Sequence, residues 1–211
     1  EVRGPELSVD EIKDMIKRHG QVFIKPLFKG GVGKKGKAGL LGRVDNISDA
    51  LKEKERLYFA EHVDGFSKVK SDGVTYEGAV TADFEVYFSI SESTEHRCPV
   101  MTITHHGGID IEELGDDKMK VVPFDALTGL KAFHVSNALM ELGAPPAVIS
   151  PLVQNLPKLW DLYNNYGMMM LELNPIRMQP GKGGRLAPIA CDFKCAFDQD
   201  DPAWKRLHLP S

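Results

Sequence analysis

Two short apolar runs, residues 22–27 and 40–44, flank a ten-residue stretch made almost wholly of glycine and lysine, Gly30-Gly31-Val32-Gly33-Lys34-Lys35-Gly36-Lys37-Ala38-Gly39. The apolar runs read as buried strands, and the glycines between them supply the backbone freedom that a hairpin connection needs. The same stretch combines positive charge with close backbone approach, the two things a phosphate group requires. Residues 31–37 spell G-x-x-x-x-G-K. Ala38 then stands where a P-loop needs Ser or Thr to hold Mg²⁺, and a strand follows where a helix is required, so a P-loop is rejected. A phosphate cradle and an exposed basic hairpin stay open as readings. Lys25, inside Val22-Phe23-Ile24-Lys25, either meets a buried anion or reaches water through strand alternation.

The remaining periodicities are those of a mixed chain. Ser8 and Glu11 form a capping box ahead of Val9, Ile12, Met15 and Ile16, which predicts a helix over 9–19 closed by Gly20. A second helix is expected over 48–56, with strands over 57–63, 82–90 and 99–104. Residues 68–76, with Ser71-Asp72-Gly73 at the tip, read as an exposed polar excursion. Helical patterning covers 133–142 and 148–166. Strands are expected over 168–173 and 186–193, joined by turn residues 179–184. Hairpins covered by helices indicate an α+β fold.

At 211 residues the chain makes one large domain or two small lobes, with enough burial to need no covalent staple. The net charge of -4 gives no bulk reason to expect nucleic acid or a membrane surface as partner. No apolar run approaches the roughly 18 residues of a membrane-spanning helix. An odd count of three cysteines, Cys98, Cys191 and Cys195, argues against a disulfide framework and for a reducing compartment, the cytoplasm or the mitochondrial matrix. The chain opens without Met and without an apolar signal core, and is expected to be a piece of a longer polypeptide or a processed one.

Near the C-terminus, Glu172-Leu173-Asn174 puts Glu172 and Asn174 on one strand face. If the strands on either side of 179–184 pair, Asp192 comes beside Asn174, an oxygen pair of the kind Mg²⁺ takes. Two structural Asx groups at strand ends are an equally open reading. His105 and His106, adjacent on a strand, are expected to point to opposite faces, which argues against zinc. His106 at a ligand mouth is a candidate for carrying a proton or a phosphoryl group.

These features fall in a familiar order. Phe23-Ile24-Lys25 with the 30–37 loop, Leu57-Tyr58-Phe59-Ala60-Glu61, Phe84-Glu85-Val86-Tyr87, His106-Gly107-Gly108-Ile109-Asp110-Ile111-Glu112, Asp125-Ala126-Leu127-Thr128-Gly129, Leu171-Glu172-Leu173-Asn174-Pro175 and Cys191-Asp192-Phe193-Lys194 succeed one another along the chain. In this it resembles the ATP-grasp part of the succinyl-CoA synthetase β subunit and the N-terminal region of ATP-citrate lyase. The resemblance implies an ATP-grasp fold, two α+β lobes with the nucleotide cleft between them. The smaller lobe would be 1–60, N-terminally incomplete, and the larger 61–211, with the CoA-ligase domain of the family absent. His106 stands where the succinyl enzymes have Glu, and the 67–80 excursion is longer than theirs.

By that resemblance Lys25 would touch the phosphates of ATP or GTP, and Gly31, Val32 and Gly33 would close over them. Glu61 would mark the hinge strand beside adenine and ribose, with Asp64 just beyond. Glu85 would point into the nucleotide cleft. Asn174 and Asp192 would ligate Mg²⁺, and Glu172 would receive the phosphorylated histidine of a partner. The activity implied is that of an ATP-dependent acid–CoA ligase or ATP-citrate lyase. The partner would be a CoA-binding, phosphohistidine-carrying subunit or domain, with CoA and a small carboxylate bound outside this chain. A non-catalytic nucleotide-binding or interaction module of the same fold is the alternative.

Overall fold

A computed structural model describes residues 2–4, 7–28, 39–64, 67–108, 111, 114–198 and 200. The chain divides into two compact units, Glu1–Val80 and Thr81–Ser211.

The first unit runs β1 (Val2–Arg3), α1 (Val9–His19), β2 (Val22–Phe28), β3 (Gly42–Val44), α2 (Ile47–Tyr58), β4 (Glu61–Asp64) and β5 (Ser67–Gly78). The capping box ahead of α1 forms. Ser8 Oγ accepts the Glu11 N–H at 3.3 Å, and Glu11 Oε2 accepts the Ser8 N–H at 2.9 Å. Asp10 and Glu11 in the first turn, with Lys17, Arg18 and His19 in the last, complement the helix dipole. Gly20 closes the helix at a φ of 72°, where a side chain would be strained.

The sheet has the order β1-β5-β2-β3, with β4 also paired to β5. Alternation along β2 sends Val22, Ile24 and Phe28 into a core shared with Ile12, Met15, Ala50, Leu57, Val74 and Tyr76. Two expectations are corrected here. Leu57 is the last core residue of α2, seven after Ala50 on the same helical face, so the next strand begins at Glu61 and not at 57. The stretch read as an exposed excursion is the strand β5, which pairs with β2, β4 and β1, and in which Val74 and Tyr76 are wholly buried. Its register against β2 slips between Leu27↔Gly73 and Phe28↔Ser71, so Asp72 is an extra residue and hides the alternation. Because β5 belongs to this sheet, the first unit runs to Val80.

The second unit runs β6 (Glu85–Ser93), β7 (Cys98–Thr104), β8 (Lys120–Pro123), α3 (Ala132–Glu141), α4 (Pro146–Asn155), α5 (Lys158–Asn165), β9 (Met168–Pro180), β10 (Leu186–Ala190) and β11 (Phe193–Phe197). All its strand pairs are antiparallel, in the order β10-β9-β6-β7-β8, with β11 also on β9. One face supplies Val86, Phe88, Ile90, Met101, Ile103, Leu171 and Leu173 to a core closed by Val135, Leu139, Val148, Leu152 and Trp160 of the helices. The helical patterning expected over 148–166 is interrupted at Pro157, which ends α4 and opens α5. The single strand expected over 186–193 is two, stepping at Cys191-Asp192. Among the described residues no helix is long and apolar enough to cross a membrane.

Tyr76 is fully buried, no described group pairs with its hydroxyl, and burial pushes its pKa up to about 12. Tyr76→Phe removes an unsatisfied donor and should leave stability unchanged or raise it by about 1–2 kcal/mol, whereas Tyr76→Ala should cost about 3–5 kcal/mol. Urea midpoints of the three proteins read this directly. A second expectation concerns pH. His134 Nδ1 accepts the Lys131 N–H at 3.0 Å at the start of α3, which requires that nitrogen to be unprotonated. Burial, then the charge of Lys131, holds the His134 pKa below its ordinary value. The contribution is therefore complete above the unfolded value of about 6.5 and is lost as pH falls through the folded one. The melting-temperature gap between wild type and His134→Ala should narrow from pH 7.5 to pH 5.5.

Candidate functional site

The strand face of the second unit that turns away from its core is polar. On β9, Leu171 and Leu173 enter the core, so Glu172 and Asn174 share the other face. Glu172 lies in register with Ser89 of β6 on one side and Lys194 of β11 on the other. Tyr87 faces Thr104 across β6 and β7, and donates its hydroxyl to Glu172 Oε2 at 3.5 Å. Burial, reinforced by the Glu172 charge, raises the Tyr87 pKa, so the hydroxyl stays a neutral donor.

Asn174 and Asp192 are neighbours. The turn at 181–185, closed by the Gly181 N–H to Arg185 O bond of 2.7 Å, brings β10 back along β9. At the step between β10 and β11 the Asn174 N–H donates to Asp192 O at 3.3 Å. The Asn174–Pro175 peptide is cis. The exposed Asp192 carboxylate takes the Phe193 N–H on Oδ1 at 3.0 Å. Asn174 Oδ1 accepts the Gly108 N–H at 3.1 Å.

That N–H comes from a turn which only glycine can make. The Gly107 N–H donates to Glu85 O at 2.8 Å, and a Cβ at 107 would lie 2.6 Å from the backbone carbon of Val86. Gly108 has φ 77°, and a Cβ there would stand 1.7 Å from Glu85 Oε2. Glu85 is gripped on its other oxygen by Arg177, Nε at 2.7 Å and Nη2 at 2.5 Å.

The exposed His106 donates its N–H to Thr104 Oγ1 at 3.1 Å. The expectation of opposed histidines is overturned. Strand β7 ends at Thr104, so its two-residue alternation does not reach them, and the His105 and His106 rings lie 4.2 Å apart. His105 Nδ1 is buried with no partner among the described residues, and burial lowers that ring's pKa. Among the described residues no group of three or more His, Cys, Asp or Glu is placed to hold a metal. None of the three cysteines is in a disulfide among the described residues.

In the first unit, Lys25 lies on the β2 face opposite Val22, Ile24 and Phe28, and the anion it meets is Glu77 of β5, at 2.6 Å with both side chains 21% exposed. Glu61 opens β4, where Lys68 first and then Lys70 hold its carboxyl below the usual range. Asp64 ends that strand, opposite Ser67. Gly31, Val32 and Gly33, with the rest of 29–38, lie outside the described residues, as do Asp110 and Glu112. Sequence reasoning did not single out Arg177, Tyr87, Thr104 or Glu77. Arg177 had a signal, a lone charge in the apolar run Pro175-Ile176-Arg177-Met178.

Comparison with known proteins gives the family and the fold. The β subunit of the ADP-forming succinate–CoA ligase of Desulfatibacillum aliphaticivorans is 30% identical over 200 residues, 92% of this chain and 51% of that one. The same subunit of Trichlorobacter lovleyi is 26% identical over 209 residues, 97% of this chain and 53% of that one. The chain thus spans about half the length of the curated relatives it matches. Among solved structures, ATP citrate lyase from Methanothrix soehngenii, in complex with citrate and coenzyme A, shares the fold with a TM-score of 0.68 at 20% identity, over 100% of this chain and 48% of that one. Acetyl-coenzyme A synthetase 1 of Ca. Korarchaeum cryptofilum gives 0.68 at 14%, over 94% and 85%. Residues 6–178 match the family model of the ATP-grasp domain, and the chain belongs to that family.

Proposed function

We propose that the chain is the Mg-nucleotide-binding part of an acid–CoA ligase of the succinate–CoA ligase or ATP-citrate lyase type. One observation carries the reading: Asn174 and Asp192 are bonded neighbours at the edge of a polar strand face that also holds Glu172. A divalent metal fits them. Both offer hard oxygens, the Asn174 amide oxygen keeps a lone pair after accepting the Gly108 N–H, and one Asp192 oxygen is left after the Phe193 N–H. The set is too small to hold the ion alone, which suits Mg²⁺, whose shell is completed by phosphates and water. When bound, the ion would neutralise phosphate charge.

Lys25 would supply a point charge to the phosphates in exchange for Glu77, and the glycines at 31 and 33 would approach them by backbone. The γ-phosphoryl group would pass from ATP to an imidazole nitrogen of a partner's histidine, breaking the bond to the β-phosphate oxygen and leaving ADP. Glu172 would accept the N–H of that imidazole and hold its ring, with the Tyr87 hydroxyl fixing the carboxylate. Acyl phosphate formation and its displacement by coenzyme A would take place in the partner domain. Cysteines that form no disulfide among the described residues suit a reducing compartment, the cytoplasm or the mitochondrial matrix. A non-catalytic module is favoured by one observation, the Lys25–Glu77 ion pair that already occupies the lysine.

Calorimetric titration with ATP and with GTP, with and without Mg²⁺, tests the reading. Wild type should bind in a Mg²⁺-dependent way. Asn174→Ala/Asp192→Ala should weaken Mg-nucleotide binding by about 10–100-fold while leaving the melting temperature within a few degrees. Lys25→Met should weaken binding with or without metal. Nucleotide binding that ignores Mg²⁺ and the double substitution would favour the non-catalytic module.

A further inference from the structure

Arg177 has no part in the chemistry above, yet its place is specific. Its Nε and Nη2 both reach Glu85 Oε1, at 2.7 and 2.5 Å, and the two side chains are only 30% and 28% exposed. The other oxygen of Glu85 fills the space where a Cβ of residue 108 would lie. The Glu85 carbonyl takes the Gly107 N–H, and the next N–H of the turn, that of Gly108, goes to Asn174 Oδ1. Arg177 and Asn174 stand three residues apart on β9, and Glu85 on β6 pairs with Arg177 across the sheet, so the contacts close into a ring.

The terminal torsion of an asparagine is broad, so its rotamer alone does not decide whether oxygen or nitrogen is presented. A donor in a fixed place does. A carboxylate accepts more strongly than an amide oxygen, and Glu85 is already against Gly108. Let go by Arg177, it would take the Gly108 N–H from Asn174.

We propose that Arg177 is a positioning residue: by holding the Glu85 carboxylate it reserves the Gly108 N–H for Asn174 and so presents the Asn174 oxygen to the metal. This rests on the assignment of Asn174 as a metal ligand.

The test uses the whole chain, labelled with ¹⁵N, in wild type, Arg177→Gln, Glu85→Gln and the double variant. Two quantities are read: amide exchange at Gly108 with the Asn174 side-chain resonances, without ligand, and the Mg²⁺ concentration that half-saturates ATP binding. In Arg177→Gln the Asn174 resonances should shift and the Gly108 amide should change its exchange by about tenfold relative to its neighbours. The Mg²⁺ requirement should rise by about tenfold. Removing the competing charge as well, in Arg177→Gln/Glu85→Gln, should lower the requirement at least about threefold below that of Arg177→Gln. Uniform loosening of the whole sheet, or no rescue in the double variant, would mean a merely structural role and overturn the proposal. So would a wild-type Mg²⁺ requirement in Arg177→Gln. A wild-type chain that takes no Mg-nucleotide at all sinks the parent reading and this one with it, whereas wild-type binding with an indifferent Arg177→Gln sinks this one alone.

Discussion

Along β9 the backbone is hydrogen-bonded on both edges, to β6 on one side and to β10 and β11 on the other, so the side chains of residues 168–180 are committed to a face by the ladder itself. A slip of one residue would bury Glu172 and Asn174 among the leucines and expose Leu171 and Leu173. The apolar core therefore fixes the register that lines up the polar face, with Glu172 flanked by Ser89 and Lys194 and Asn174 beside Asp192. The arrangement of the site follows from burial on the opposite side of the same strand.

The His-Gly-Gly turn depends on this frame through sterics rather than attraction. Backbone of β6 and the Glu85 carboxylate occupy the space of two absent Cβ atoms: a side chain at 107 would push the turn off the sheet, and one at 108 would be strained at φ 77° and displace the carboxylate. Its N–H groups are then spent on two strands at once, one on Glu85 of β6 and one on Asn174 of β9. This ties the edge of the polar face to the strand pairing beneath it.

How much of this was legible in the sequence depended on distance along the chain. The α1 capping box, the alternation of β2 and the Asn174–Asp192 neighbourhood rest on spacings within one element or one turn, and each could be read. The Arg177–Glu85 pair joins residues 92 apart, and neither marks the other in the sequence. The β5 strand went unread because the extra residue Asp72 breaks its alternation and Ser71-Asp72-Gly73 has the composition of a loop tip. The paired histidines escape the two-residue period for a related reason: β7 ends at Thr104, just before them. Strand ends and bulges are where the backbone leaves the period, and the period was the only guide.

The central position of β9 also has a bearing on how the protein is made. Strands β6, β7 and β8 emerge from the ribosome well before β9, and β6 waits for its second partner, 92 residues downstream where Glu85 meets Arg177. Until β9 arrives, the β6 edge opposite β7 has no strand to pair with, although the helices that cover Phe88 and Ile90 are already made. Pairings this distant close slowly, because the chain between must be gathered first. The nascent second unit is thus most vulnerable to wrong association in the interval before its last third is translated. Glu172 and Asn174, the share of the polar face that β9 brings, join Tyr87, Ser89 and Thr104 only at the end of that interval.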